Sequence, residues 1–181
     1  GLESVKRFRD QGVDITCEVP PHHLLFSQED LTKHDTSLKM NPPLRRPENN
    51  QRLLEGLVEG TVDFIATDHA PHAGFEKRQD FNSAPFGITG LETALLSLYT
   101  ELIQTGELGW NTLCRAFSAA PRRLLGLDPV SIAEGNRAEF LVFDPDQTTT
   151  VDRDYARSKS DNTPYWGDEL DGRIQLVLRR G

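Results

Sequence analysis

Asp68, His69 and His72 lie within one short stretch, DFIATDHAPH (residues 63–72), and carboxylate and imidazole are the groups of metal ligation and proton transfer. An acid that ends an apolar run is costly to bury unless it is paired, hydrogen-bonded or bound to metal. Two readings are open for Asp68: a turn aspartate that bonds nearby backbone N–H groups, or a ligand and acid–base group. His72, four positions on, favours the second; His69 alone does not. His22 and His23 follow another apolar stretch. Adjacent histidines do not readily both enter one site, so a hydrogen-bonded structural role is expected for at least one. Glu18 should point away from Cys17, into a site mouth or a buried ion pair. Asn41 precedes Pro42 and Pro43 and reads locally as a turn residue.

These residues make an incomplete ligand set. The chain has no Cys/His spacing of a closed zinc site and no HExxH, P-loop or GxSxG. Its 181 residues carry a formal charge of −8, with 27% charged and 36% hydrophobic residues. That composition is ordinary for a globular domain and argues against a nucleic-acid partner, which needs clustered Lys and Arg. Arg122-Arg123 reads as a solvated helix face. No stretch approaches 18 apolar residues, so no membrane association is expected, and no signal peptide is evident. Cys17 and Cys114 form no disulfide framework, which makes a reducing cytoplasm the simplest compartment.

The elements that must position the acid and the imidazoles follow from periodicity. Leu2, Val5 and Phe8 predict an amphipathic helix closed by Gly12. VDITCEV alternates strictly and predicts a strand over 13–19, which PPHHLLF then breaks. Residues 27–48 read as a long polar loop. Leu53, Leu54, Leu57 and Val58 predict a helix stopped by Gly60, and TVDFIAT reads as a buried strand. Strand, helix, strand at this separation is a βαβ unit with parallel strands. Asp68 then stands at a C-terminal strand end, where α/β sites collect.

Residues 69–88 read as a second long loop, of the kind that is functional or disordered. Thr89 and Glu92 suggest a capping box for a helix through Leu102 to Gly106. A further helix is expected over about 111–119, and another with Pro121 in its first turn. After residue 127 the texture changes: AEFLVFDPD and RIQLVLRR read as strands of an appended β module. Two parallel strands bury no sheet on both faces, so the chain reads as the end of a larger protein, with 1–127 and 128–181 as its two parts. Such a remnant would expose apolar edges and fold poorly alone.

The motifs ITCEVPPHHLLF, KMNPPLR, DFIATDHAPH, APFGITGLETAL and NRAEFLVFDPD, in that order, resemble dihydroorotases of the bacterial class I type, in the amidohydrolase superfamily. The resemblance covers essentially the whole chain. It implies an α/β fold: the last two strands and following helices of a (β/α)8 barrel, plus C-terminal strands of a small β-sandwich. It implies zinc, one ion or two, and interconversion of L-dihydroorotate with N-carbamoyl-L-aspartate in pyrimidine synthesis. Asp68 matches a metal ligand that is also the catalytic acid–base. Asn41, His72, Phe86 and Gly87 match substrate-contacting positions. The family's HxH pair, bridging residue and remaining histidines are absent, the nearest expected just upstream of Gly1. One carboxylate does not hold a catalytic zinc, which takes about three protein ligands. Expected partners are the small-molecule substrate and either a second copy or aspartate transcarbamoylase. Two other readings stay open: a non-catalytic dihydroorotase-like assembly subunit, and a related amidohydrolase acting on a different cyclic amide such as a hydantoin.

Overall fold

The fold is that of a computed structural model, which describes residues 1–32 and 35–179. Lys33 and His34, inside the expected 27–48 loop, Arg180, the last residue of the expected RIQLVLRR strand, and Gly181 lie outside the described residues. The first helix, α1 (Leu2–Asp10), forms where the apolar spacing places it, and Gly12 follows at φ +80°. The strand expected over 13–19 is shorter: the ladder contains only β1 (Glu18–Val19). Side chains take the backbone groups that would have extended it. Arg9 Nε donates to Ile15 O at 3.1 Å, and the Cys17 N–H donates to the Asp63 carboxylate at 2.7 Å.

PPHHLLF, which ends the strand pattern, forms a short helix, α2 (Pro21–Leu25), with proline at its start. The polar loop that follows contains two short 3₁₀ turns, Gln28–Asp30 and Thr36–Leu38. The first is opened by a capping box, Ser27 with Asp30. Next, α3 (Pro47–Glu59) ends at Gly60 in the left-handed region, as its spacing predicts. Strand β2 (Phe64–Ile65) pairs in parallel with β1, Glu18 opposite Phe64 and Val19 opposite Ile65. The βαβ unit is therefore present, with both strands shorter than the alternation suggested. The second long loop holds a further turn of helix, α4 (Gly74–Lys77).

The expected capping box at Thr89 does not form. Helix α5 (Ala94–Leu98) begins later, and the Glu92 carboxylate instead accepts the backbone N–H groups of Arg157 and Ser158. A tertiary demand from the C-terminal segment outcompetes the local cap. Helix α5 runs on through a π-helical turn, Tyr99–Ile103. Likewise α6 (Trp110–Cys114) continues through a π turn, Arg115–Ala119, into α7 (Ala120–Leu124). The two helices expected there are thus one run. Pro121 sits just past the wide π turn, where its missing N–H and bulky ring are accommodated.

The two expected strands form, as β3 (Phe140–Thr150) and β4 (Glu169–Leu178), longer than their motifs; they pair antiparallel with two register irregularities. Phe143 lies over Gly172, where a Cβ would come within 2.0 Å of the ring, so only glycine fits. The main core gathers Val19, Leu57, Val62, Ile65, Leu98 and Leu113 around the parallel pair. A smaller cluster joins Leu96 of α5 to Val151, Tyr165 and Leu170, bringing the C-terminal segment onto α5. Among the described residues no helix is long and apolar enough to cross a membrane.

Candidate functional site

Asp68 sits three residues beyond β2 with φ 49°, the one non-glycine at positive φ among the described residues. A non-glycine residue there carries local strain, and such positions concentrate at functional sites. Its side chain is 54% exposed and lies on the wall of an open cleft of about 1070 Å³, together with Glu18, His23 and Asn41. Chain reversal after each parallel strand explains this grouping: β1 delivers Glu18 and His23, β2 delivers Asp68, and the Asn41-Pro42 turn closes on them.

The adjacent histidines divide as expected. His23 Nε2 donates to Pro42 O at 2.9 Å and ties α2 to the Asn41-Pro42 turn. His22 is 3% exposed, and its Nε2 lies 3.9 Å from Asp68 Oδ2. That nitrogen is buried with no hydrogen-bond partner among the described residues. Burial, reinforced by the neighbouring His23, pushes the His22 pKa down to about 3, so the ring faces the carboxylate uncharged.

His69 is structural. Its Nδ1 accepts the N–H groups of Gly90 at 3.1 Å and Leu91 at 3.4 Å, and its backbone forms a parallel bridge with Ile88. The loop after β2 is thereby zipped to the segment that holds Phe86 and Gly87. Two glycines permit the close approach. A Cβ on Gly87, at φ +98°, would lie 2.6 Å from the Ala70 Cβ; one on Gly90 would lie 3.0 Å from Thr67 O.

His72, Phe86 and Gly87 come together on this second wall, beside rather than on the lining of the open cleft. His72 Nε2 donates to Phe86 O at 2.9 Å. The Phe86 ring is exposed, with the Lys39 ammonium 4.5 Å from its centroid. Two buried lysines that sequence reading did not single out hold the backbone here. Lys39 Nζ donates to Asn82 O at 2.8 Å and Ala84 O at 2.6 Å. Lys77 Nζ donates to Pro85 O at 2.9 Å and Gly87 O at 3.0 Å. Burial lowers the Lys77 pKa to about 8; Asp35 opposes that shift and Lys39 adds to it. Lys39 stands directly before Met40-Asn41, yet a lysine in a polar loop gives no sign in sequence that it will be buried.

No group of three His, Cys, Asp or Glu side chains converges among the described residues in a way that could hold a metal ion. The described residues therefore do not make a complete zinc site. What they offer is the exposed Asp68 carboxylate with an uncharged buried imidazole facing it, the Glu18 carboxylate on the same cleft wall, the Asn41 amide, and a second wall whose backbone is held by side chains.

No family model matches the chain. Among curated relatives it is 44% identical over 182 residues to a dihydroorotase of Carboxydothermus hydrogenoformans, covering 100% of this chain and 42% of that protein. It is 42% identical over 180 residues to a dihydroorotase of Caldanaerobacter subterraneus subsp. tengcongensis, covering 99% of this chain and 42% of the relative. Among solved structures, an L-hydantoinase (dihydropyrimidinase) from Arthrobacter aurescens superimposes with a TM-score of 0.90 at 30% identity, over 99% of this chain and 41% of that one. The chain spans about two fifths of the length of the relatives it matches. Over the stretch it covers, the chain is homologous to curated dihydroorotases.

Proposed function

We propose that this chain is the part of a dihydroorotase that supplies the catalytic carboxylate and one wall of the substrate site. The whole protein would interconvert L-dihydroorotate and N-carbamoyl-L-aspartate in pyrimidine synthesis. In this reading β1 and β2 are the last two strands of a (β/α)8 barrel, and β3 with β4 belongs to a small sandwich divided from the barrel near residue 127. Zinc, one ion or two, would draw most of its ligands from parts of the protein that this chain does not cover, with Asp68 contributing one carboxylate. Association with a second copy or with aspartate transcarbamoylase belongs to the same proposal and rests on the family resemblance alone.

The observation that carries the reading is Asp68 itself: a strained acid at the end of a parallel strand, on a cleft wall with Asn41. In ring opening, water oxygen bonds to the amide carbonyl carbon and the C–N bond breaks. The Asp68 carboxylate takes a proton from that water and returns it to the departing nitrogen. Asn41 suits an anionic substrate as a neutral donor, and the exposed Phe86 stands on the neighbouring wall, whose carbonyls are held by His72, Lys77 and Asn162.

The test is Asp68→Asn in the native protein, with ring opening of dihydroorotate followed directly. Turnover should fall by about 10²–10⁴-fold or more with the far-UV spectrum unchanged; normal turnover would sink the assignment. A hydantoin-type amidase is the second reading, supported by the structural likeness to hydantoinases. Assaying hydantoin beside dihydroorotate separates the two.

A further inference from the structure

We infer that Asn162, carried by the segment between β3 and β4, is a positioning residue that holds the two segments of the second wall of the proposed site, residues 70–72 and 86–89, in register. The substrate consequence rests on the reading of Phe86 and Gly87 given above. Asn162 is 3% exposed, and its side-chain amide is fully used. Its Oδ1 accepts the His72 N–H at 3.1 Å, and its Nδ2 donates to Ala70 O at 2.9 Å and Gly87 O at 3.4 Å. Its own carbonyl accepts the Thr89 N–H at 3.0 Å. A backbone N–H requires an acceptor and carbonyls require donors, so the partners themselves fix which amide atom points where.

Those partners belong to two different segments. Ala70 and His72 follow β2 and Asp68; Gly87 and Thr89 are buried and follow Phe86, which is exposed. Asn162 therefore bridges the acid's loop to the substrate wall from 90 positions away in the chain. Lys77 shares the same Gly87 carbonyl, giving that oxygen two buried donors. A buried asparagine that merely satisfied its own turn would bond to its neighbours in sequence; this one spends all three side-chain bonds on the candidate site. Sites bind well when their contacting groups are locked by a supporting layer, and here the C-terminal segment provides a lock that the βαβ unit lacks.

The experiment compares the native protein with Asn162→Asp and Asp161→Ala, following amide hydrogen exchange residue by residue together with kcat and KM for dihydroorotate. Asn162→Asp keeps an acceptor for His72 but turns a carboxylate oxygen toward two carbonyls. Asp161→Ala removes only the exposed pair with Arg153 and controls for loosening of the segment. Expected in Asn162→Asp is exchange about tenfold faster at His72, Gly87 and Thr89 but unchanged in α5, with KM raised about tenfold and kcat nearly kept. Asp161→Ala should move neither. Uniformly faster exchange, unchanged exchange at these amides, or a loosened wall with an unchanged KM would each overturn the proposal. If Asn162→Asp does not fold, Asn162→Ser, with a shorter reach but both bonding roles, is read in the same way. Should the native protein fail to open dihydroorotate at all, the functional reading falls; localised faster exchange would still support the Asn162 bridge, and uniform exchange would overturn it.

Discussion

His22 Nε2 faces Asp68 Oδ2 across 3.9 Å, an uncharged buried imidazole against a half-exposed carboxylate. The separation is too long for a hydrogen bond, so the imidazole shapes the surroundings of the acid without pairing with it. A buried nitrogen without a partner among the described residues costs stability, about 1–3 kcal/mol for groups of this kind. His22→Leu should therefore leave the unfolding midpoint equal to or above that of the native protein while lowering turnover. Such a split marks a residue kept for the site rather than for the fold. Parallel denaturation and rate measurements check it; a large loss of stability would show that the imidazole serves packing instead.

Lys77 gives the chain a pH signature. Its folded pKa lies near 8, below the ordinary lysine value of 10.5, so between those pH values the unfolded chain binds more protons than the folded one. Stability contributed by this group then rises with pH across that window, and the cost of the buried charge is present in full below about pH 8. In Lys77→Met that rise should be lost, so that it appears as the difference between the native and variant stability curves. Denaturant titrations from pH 7 to 11 provide the check, and identical pH slopes would contradict it.

Gly87 leaves no room for a side chain. At φ +98°, with the Ala70 Cβ 2.6 Å from the added atom, Gly87→Ala should destabilise by about 1–3 kcal/mol through backbone strain and steric clash. Its effect on KM for dihydroorotate should exceed its effect on kcat, because the wall it displaces binds rather than reacts. Kinetics and thermal unfolding of the one variant test both statements.

Asp63 binds the entry to the parallel pair. Its carboxylate accepts from the Cys17 N–H and from Arg9, whose guanidinium also reaches Thr61 O at 3.0 Å. Asp63→Ala strands a part-buried N–H and a part-buried guanidinium, and should cost about 1–3 kcal/mol. Because none of these groups borders the cleft, kcat and KM of the folded fraction should not change. Equilibrium unfolding beside steady-state kinetics is the measurement.

Legibility in the sequence followed the range of the interactions involved. Where apolar spacing alone decides, as in α1, in α3 up to Gly60, and in the parallel order of β1 and β2, the expectation holds, because burial of a periodic face is a local property of the chain. It fails where a distant group competes for a local one. The cap expected from Thr89 and Glu92 is lost because Glu92 accepts from Arg157 and Ser158. Strand 13–19 is shortened because Arg9 and Asp63 claim its backbone.

The site divides in the same way. Residue types and spacing by themselves determined that an acid ends a strand, that imidazoles flank it, and that Asn41, His72, Phe86 and Gly87 match one family's motifs. Tertiary structure alone decided which imidazole faces the acid: His22 does, while His23 and His69 are committed to Pro42 O and to the Gly90 and Leu91 N–H groups. It also decided that Lys39, Lys77 and Asn162 are buried supports. Hydrogen-bond partners separated by tens of residues leave no periodic trace, since the chain must fold before an ammonium or an amide can meet the carbonyls it holds.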